Sequence, residues 1–363
     1  MCHLQCDKYT ARLPRRQHAN TTLSGGNRDR NFYYICDMKQ ICILVPETAV
    51  PAAIVDPRYM FSAVNQFFRE AGHDPFFDIK LVGLRPTVEL EKGLISVHPD
   101  LLIDDVKQTD LIVVPAISGD VRRALELNKA FVPWMRDLHS RGAEIAGLCI
   151  GSFLLASTGL LDGKTSSTHW LFAQQFREMF PKVHLAHDKV VTDQDGIYTS
   201  GGAQSYWNLL LYLVEKFTSR EMALIASKFF ELDTARYSQS PFVMFKGQKE
   251  HGDQEVLQAQ EFIESHFRGR IHVGDLATRF GIGRRTFERR FKKHTANTVV
   301  EYIQRVRIEA AKQQLESGHK SVHEVMQDVG YSDPRAFRDL FRKEAGLSPT
   351  EYRSKYSMIS VPE

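Results

Sequence analysis

The chain has 363 residues, of which 43% are hydrophobic and 25% charged, and its formal net charge is +3 at pH 7. A single core usually stops growing at about 250–300 residues, so two domains are expected. The composition is that of a soluble globular protein. The net charge is too small to indicate a binding partner. Its distribution is more informative: residues 253–356 carry 19 Lys and Arg against 15 Asp and Glu, whereas residues 39–252 carry 22 against 25. The C-terminal segment is therefore the part expected to meet a polyanion.

The cysteines indicate the redox compartment of the protein, and the apolar runs indicate whether the chain could cross a membrane. Five cysteines in so long a chain, three of them at Cys2, Cys6 and Cys36, do not form a disulfide framework, so a reducing cytoplasm is expected. The longest apolar run, residues 143–161, contains Glu144 and three glycines, which do not suit a lipid-facing helix. It predicts a buried strand, a tight turn and a helix instead. No metal site, cofactor or membrane contact is predicted.

The N-terminal residues 1–38 are polar and lack a hydrophobic period, which predicts a disordered extension. Met38 stands directly before the first strand pattern. The sequence therefore leaves open whether residues 1–37 belong to the native protein.

From residue 39 to residue 235, short β-rich runs alternate with longer helical ones. The predicted strands are Ile41–Val45, Phe77–Gly83, Leu111–Pro115 and Glu144–Leu148, with Val183–Leu185 and Ile197–Thr199 as further candidates. The predicted helices are Phe61–Ala71, Asn128–Arg141, Ile150–Ser157, Leu171–Met179 and Gln204–Lys216. This alternation predicts an α/β domain whose mostly parallel sheet has helices on both faces, with ligands at the carboxyl ends of the strands.

The C-terminal part contains an internal repeat. Residues 236–252 lose the apolar period and predict a linker, residues 253–356 are predicted to be helical, and residues 357–363 form a tail. At an offset of 50, the repeat aligns Phe287, Phe291 and Glu301-Tyr302 with Phe337, Phe341 and Glu351-Tyr352. Each copy predicts a helix, a glycine-containing turn and a second helix, which is the layout of a helix-turn-helix.

The second helix of each copy is predicted to have a buried phenylalanine stripe and a charged face. At 100° per residue the charged side chains lie well away from the phenylalanines. Those predicted to face DNA are Arg284, Arg285, Glu288, Arg289 and Lys292 in the first copy, and Arg335, Arg338, Asp339 and Arg342 in the second. Arginine suits guanine, and glutamate can accept from cytosine. Arg290 and Lys293, at the edge with Lys292, are predicted to contact the DNA backbone. A charged face on a single helix could simply be exposed to solvent. The presence of a second copy at a fixed spacing argues against this alternative.

With these features, residues 253–356 resemble the DNA-binding domain of the AraC/XylS family. The resemblance is strongest in the run from Gly330 to Phe341 and in Leu347-Ser-Pro-Thr-Glu-Tyr352. It implies an all-α double helix-turn-helix domain whose two recognition helices read adjacent major-groove segments of double-stranded DNA. RNA polymerase and a second copy of the chain are further expected partners. Met326 departs from the family pattern, which usually has a small alanine there.

In the α/β part, Cys149 stands between an apolar strand and a helix and is flanked by Gly147 and Gly151. That is the layout of a nucleophile elbow, in which small neighbours permit a sharp turn. A thiol at a helix N-terminus is expected to have a lowered pKa, so chemistry at Cys149 is possible. Because cysteine is also often a small buried hydrophobe, spacing alone leaves the choice open.

The segment 147–170, from Gly-Leu-Cys-Ile-Gly-Ser to Thr-His-Trp, resembles the class I glutamine amidotransferase-like, PfpI/ThiJ superfamily, particularly sensor domains fused to AraC-type modules. The resemblance spans about residues 39–235 and implies a flavodoxin-like fold. Enzymes of the superfamily use a histidine and a carboxylate beside the cysteine, but Ile150 here cannot take a proton. The residues expected to line a ligand pocket are Asp56, from the first strand-to-helix loop, with Ile117, Cys149, Ile150 and His169.

These features support two hypotheses about function. The first is a cytoplasmic transcription regulator whose nonenzymatic α/β domain binds a small-molecule effector. The second is a cysteine-dependent hydrolase or hydratase whose helical tail targets it to DNA. Ile150 and the glycine-poor loop at residues 116–118 argue against the second hypothesis, because they weaken the expected proton acceptor and oxyanion donors.

Overall fold

The computed structural model describes residues 38–233, 238–249 and 251–357. The chain divides into two compact units, one up to Tyr237 and one from Ser238. Residues 1–37 of the predicted extension and residues 358–363 of the predicted tail lie outside the described residues. No helix in the described ranges is long and apolar enough to cross a membrane.

The first unit is built on a seven-stranded sheet. Its strands, with two short accessory pairs, are β1 (Lys39–Val45), β2 (Phe77–Gly83), β3 (Val88–Leu90), β4 (Ile95–Val97), β5 (Leu101–Leu102), β6 (Leu111–Val114), β7 (Glu144–Gly147), β8 (Thr165–Ser166), β9 (His184–Leu185), β10 (Val191–Gln194) and β11 (Ile197–Ser200). The sheet order is β10-β11-β7-β6-β1-β2-β5. Only the edge pair β10–β11 of this sheet is antiparallel. The predicted mostly parallel sheet is confirmed.

Helices cover both faces of this sheet. They are α1 (Pro51–Glu70), α2 (Val121–Leu127), α3 (Phe131–Ser140), α4 (Gly151–Ala156), α5 (Ala173–Met179), α6 (Ser205–Phe217) and α7 (Arg220–Phe229). One apolar layer joins the sheet to α1, α6 and α7, and the other joins it to α2, α3, α4 and α5. In the central strands β1 and β6, alternate side chains enter the two layers, so their buried stretches 41–45 and 111–114 are apolar throughout rather than alternating.

The first helix is longer than predicted. The sequence predicts its start at Phe61, but α1 begins at Pro51 and continues through Pro57. Proline suits the first helical position, whereas an internal proline removes one backbone hydrogen bond. Burial of Ile54, Pro57 and Phe61 along one face of α1 compensates for that loss. Asp56 therefore lies within the helix and not in the preceding loop, which corrects its predicted position.

The second unit is helical. Its helices are α8 (Gln254–His266), α9 (Val273–Arg279), α10 (Arg284–Thr295), α11 (Val299–Ser317), α12 (Val322–Asp328), α13 (Pro334–Ala345) and α14 (Pro349–Tyr356). The predicted repeat appears as two similar cores, one inside α8–α11 and one inside α11–α14. Tyr302 and Tyr352 occupy equivalent places, because each packs edge-on against a recognition-helix phenylalanine, Phe291 or Phe341. The long helix α11 belongs to both cores.

Part of the predicted linker is a component of the helical unit. Residues 238–249 pack along the helices and are called the strap here. Phe245 contributes to the first helical core, and Lys312 donates to the Val243 carbonyl. The strap has no apolar period in its sequence because it contacts the helices through single side chains and backbone groups, and not through one continuous apolar face. Residues 238–249 of the predicted linker 236–252 are therefore packed on the helices.

Candidate DNA-binding surface and cysteine site

The helices predicted to enter DNA, α10 and α13, carry their phenylalanines inward. Phe287, Phe291, Phe337 and Phe341 are all buried, which confirms the predicted stripes. Of the nine side chains predicted to face DNA, Glu288 is half-buried and the other eight are exposed. The fold therefore leaves these charges free to approach a groove.

Neighbouring charges restrain some of these side chains. Arg284 Nε lies 3.1 Å from Glu288 Oε1, and Arg335 Nε lies 4.0 Å from Asp339 Oδ2. Such exposed pairs contribute at most about 1 kcal/mol and can exchange for DNA contacts. Among the described residues, Arg285 and Arg289 have no acidic partner. Their guanidinium groups can donate to a base edge without first breaking an ion pair.

The second recognition helix has the predicted start. Asp333 Oδ1 accepts from the Arg335 and Ala336 amides at 2.8 Å and 3.4 Å, and Pro334 occupies the first helical position. The aspartate thereby satisfies amides that have no partner within the helix. The cap fixes where α13 begins and therefore which residues it presents.

Near the end of α13, Arg342 Nη2 lies 3.6 Å from Glu351 Oε2 on α14, and both side chains are largely exposed.

Arg290 has a different role from the predicted backbone contact. Its Nε and Nη2 donate to Asp253 at 2.8 Å and 2.6 Å, and Nη2 also donates to Glu255 at 2.7 Å. Hydrogen bonding to Arg290 lowers the pKa of Asp253, which also caps α8. The guanidinium therefore ties α10 to α8. Sequence spacing could not show this, because the two carboxylates lie more than 30 residues upstream.

A basic cavity of about 470 Å³ beside α9 was not predicted. Arg268, Arg270 and Arg279 line it, and Arg279 lies 4.4 Å above the ring of Phe262. Phe262 in turn stacks on His266 at 4.2 Å. Arg268 and Arg270 lie in the loop between α8 and α9, whereas Arg279 lies at the end of α9, and no helical or strand period relates the three. Together they add positive charge beside the first helix of a helix-turn-helix, which usually crosses the DNA backbone.

The predicted sharp turn at Cys149 is confirmed. Cys149 has a φ of +54°, between the buried strand β7 and helix α4. A Cβ on Gly151 would lie 2.4 Å from the Val114 carbonyl oxygen and 2.5 Å from that of Pro115. Only glycine allows this close approach of two backbones. The strand-turn-helix geometry is that of a nucleophile elbow.

The surroundings of Cys149 do not activate its thiol. Cys149 is 4% exposed, and burial raises the pKa of its thiol to about 12, although the Ile150 amide acts in the opposite direction. The expected lowering of this pKa by the helix terminus is therefore wrong. Desolvation is the larger effect and outweighs the Ile150 hydrogen bond because the thiol is almost completely buried. At neutral pH the side chain is a neutral thiol.

Asp56 meets a residue that the sequence did not single out. Tyr206, in the first turn of α6, donates from its hydroxyl to Asp56 Oδ2 at 2.5 Å. Tyr206 is close enough to Cys149 for their charges to interact, and both belong to the same apolar cluster. Burial and the Asp56 hydrogen bond raise the pKa of Tyr206 above its usual range. The structure thus brings Asp56, Tyr206 and Cys149 together.

The other predicted pocket residues have mainly structural contacts. His169 Nδ1 accepts from the Leu171 amide at 3.1 Å, and burial lowers the pKa of its imidazole. Thr168, directly before it, donates to the Cys149 carbonyl at 3.3 Å. Ile117 is buried and forms an isolated antiparallel β-bridge with Ala49. Ile150 packs against the apolar layers on both faces of the sheet.

Comparison with known protein families agrees with this two-part organisation. Residues 40–216 match the DJ-1/PfpI family, and residues 276–355 match a helix-turn-helix domain. The fold and these matches define the class: a DJ-1/PfpI α/β domain followed by a double helix-turn-helix domain.

Several named relatives match long stretches of the chain. The HTH-type transcriptional regulator CdhR of Pseudomonas aeruginosa is 28% identical over 261 residues, which cover 71% of this chain and 76% of the relative. GbdR of the same species is 25% identical over 71% of this chain and 70% of the relative. GlxA of Rhizobium meliloti is 23% identical over 61% and 68%. These relatives are named as HTH-type transcriptional regulators, and this chain likewise combines an AraC-type helix-turn-helix domain with a DJ-1/PfpI domain.

Proposed function

We propose that this transcription regulator recognises its promoter or operator DNA through α10 and α13. One observation carries the proposal: two capped or glycine-started helices, equivalent in an internal repeat, each bury two phenylalanines and expose several arginines. Arginine can donate two hydrogen bonds to guanine and distinguish it from the other bases. Arg285 and Arg289, which lack competing ion pairs among the described residues, are the proposed base-reading pair on α10. The other predicted side chains on α10 and α13 complete the proposed surface.

The DJ-1/PfpI domain is proposed to bind a small-molecule effector without converting it. A buried thiol with a raised pKa is a poor nucleophile, since the thiolate is the reactive form. The Asp56 carboxylate is already hydrogen-bonded to Tyr206, which supports a role in shaping a pocket. Binding of the effector is proposed to shift the populations of two conformations and so alter DNA recognition. The proposed pocket contains the five predicted residues and Tyr206.

A cysteine-dependent hydrolase or hydratase is the second candidate. The observation in its favour is the strained turn at Cys149, whose φ of +54° is held by the close contact at Gly151. Non-glycine residues in this conformation often occur at functional sites. Its activity would require a conformation in which the thiol is more hydrated than here.

Replacement of Cys149 with alanine distinguishes these candidates. We expect the Cys149→Ala chain to bind DNA as the unchanged protein does. A compound of a metabolite panel that raises the Tm of the unchanged protein should still raise that of Cys149→Ala, by a smaller amount where the compound contacts the thiol. Incubation with small amides, isonitriles and aldehydes should yield no product from either protein. Cys42→Ala is the matched control, because it replaces another buried cysteine. If the unchanged protein and Cys42→Ala convert one of these compounds and Cys149→Ala does not, the protein is a cysteine-dependent hydrolase or hydratase.

The basic cavity is proposed to contact DNA phosphates beside α9. We expect Arg270→Gln and Arg279→Gln to weaken binding to specific and random-sequence duplexes equally. Each should reduce the slope of log affinity against log salt concentration by about 1, because each phosphate contact releases roughly one counterion. Binding measured over a series of salt concentrations tests this. An unchanged slope in both variants would exclude the cavity from the interface.

The remaining parts of the proposal concern assembly and location. The division into a sensor over residues 39–235 and a DNA-binding domain over residues 253–356 is proposed for the whole chain. A homodimer in the cytoplasm is proposed, since paired half-sites are the usual geometry of helix-turn-helix proteins. Contact with RNA polymerase is proposed for the DNA-bound form. Sedimentation of the free protein and of its DNA complex tests the dimer.

A further inference from the structure

The strap crosses both halves of the double helix-turn-helix domain. Its first residues lie on the second half: a Cβ on Gly346, the residue after α13, would lie 3.3 Å from atoms of both Ser240 and Pro241. Phe242 approaches the ring of Tyr356 on α14 edge-on, with ring centroids 6.1 Å apart. This end of the strap is therefore packed beside the second recognition helix.

The middle of the strap is fixed to the long helix α11 by a buried ion pair. Lys312 Nζ and Glu309 Oε2 are 3.0 Å apart, and their side chains are 5% and 16% exposed. Lys312 also donates to the Val243 carbonyl, and Glu309 accepts from the Phe245 amide at 3.1 Å. A buried charge pair needs such additional partners to offset its desolvation. The strap backbone supplies them, so the pair and the strap stabilise each other.

The last residues of the strap lie on the first half. Gly247 has a φ of +68°, and a Cβ there would lie 2.2 Å from the Tyr302 hydroxyl. The Gln248 carbonyl accepts from Gln260 Nε2 on α8 at 2.8 Å. Lys249 Nζ lies 2.6 Å from Glu264 Oε2, also on α8. This end is therefore anchored beside the core that supports α10.

We infer that the strap positions α10 and α13 relative to each other and so sets the spacing of DNA segments that the protein reads. The inference rests on the proposed function of these helices. The strap spans contacts from Gly346, the residue after α13, to Tyr302 and α8, which pack behind α10. It therefore adds a further connection between the two halves, besides α11 and the contacts of Arg307 with the Phe267, Gly269 and Gly330 carbonyls. Residues 234–237 join it in sequence to the α/β unit, which gives that unit a covalent route to the recognition helices.

Two glycine replacements provide the test in the full chain. Gly247→Ala places a methyl group against the Tyr302 hydroxyl and should lift the end of the strap. Gly252→Ala is the matched control: its φ is +67°, but nothing lies within 4 Å of the added carbon. Both variants thus place alanine at nearly the same positive φ, and only Gly247→Ala disturbs the strap contacts.

The experiment measures how strongly each protein prefers one spacing between the two contacted DNA segments. A duplex selected from a random library with the unchanged protein is compared with duplexes that have one or five base pairs inserted between the two contacted segments. Five base pairs rotate one segment by about half a turn of DNA. We expect Gly247→Ala to reduce discrimination between these duplexes by about tenfold, equivalent to about 1.4 kcal/mol, while Gly252→Ala leaves it unchanged. Hydrogen exchange of the amides in residues 243–249 should accelerate only in Gly247→Ala.

The outcomes separate this inference from the proposed function. Faster exchange in the strap with unchanged spacing preference would overturn the inference and leave DNA reading intact. Failure of the unchanged protein to select any sequence would instead overturn the proposed function. If Gly247→Ala does not fold, Phe245→Ala removes the ring that packs 5.0 Å from Tyr302 without backbone strain, and the same loss of spacing preference is expected. Retained preference in a folded Phe245→Ala protein with a mobile strap would also overturn it.

Discussion

Arg285→Ala and Arg289→Ala should each weaken binding to the selected DNA by about 1–3 kcal/mol, because each removes a pair of hydrogen bonds to a base edge. Both arginines are exposed, and neither must give up an ion pair among the described residues to bind. The loss should be largest at one or two base positions for each variant. Titration against duplexes that carry single base changes measures both the affinity and the position at which discrimination is lost.

Lys293→Ala is the control for these two variants. Lys293 is an exposed cation on the same helix, predicted to contact the DNA backbone. Its removal should weaken all duplexes alike and leave base preference unchanged, since phosphate contacts carry no sequence information. Undiminished base discrimination in both arginine variants would show that another face of α10 enters the groove.

Gly330→Ala should destabilise the double helix-turn-helix domain by about 3 kcal/mol or more, since a strained backbone and a steric clash act together. Gly330 has a φ of +85°, and an added Cβ would lie 2.6 Å from the Arg268 carbonyl oxygen. The contact is backbone against backbone, so no side chain can move aside. Arg307 at the same place donates to the Phe267 and Gly269 carbonyls at 2.8 Å and to that of Gly330 at 3.3 Å. The replacement would therefore open the joint between the two halves.

Optical probes can assign this effect to one unit. All three tryptophans lie in the α/β unit, so their fluorescence follows that unit, whereas circular dichroism at helix wavelengths follows both. In urea, Gly330→Ala should shift the dichroism transition to lower concentration and leave the fluorescence transition in place. Gly274→Ala, in α9 with open space around the added carbon, should not destabilise. Equal transitions in Gly330→Ala and the unchanged protein would contradict the clash.

Several errors of sequence interpretation have one physical origin. The start of α1 was missed because prolines locally favour a loop, and burial against the sheet overrides that preference. The sequence also missed helices α2 and α7 and the strands β3, β4, β5, β8 and β10. These strands are short and lie at edges of the main sheet or outside it. Arg290 was predicted to contact the DNA backbone because helical spacing cannot show its partners on α8. In each case a contact distant in sequence decided the outcome.

The same limit applies to the site around Cys149. The strand, the turn and the helix follow from the glycines on either side, and the structure confirms them. The state of the thiol depends on how completely other elements cover it, which no local pattern records. Tyr206 was missed for a related reason, because its partner Asp56 is 150 residues away along the chain.

The sequence by itself determined the two-part organisation, the parallel α/β sheet, the repeated helix-turn-helix and the faces of its recognition helices. These features depend on hydrophobic period, capping residues and repeat spacing, which act over a few turns of chain. Only the tertiary structure decided the neutral, buried state of Cys149, the pairing of Arg290 and the packing of residues 238–249 as a strap. Those outcomes depend on desolvation and on partners brought together by folding, and neither is encoded in local spacing.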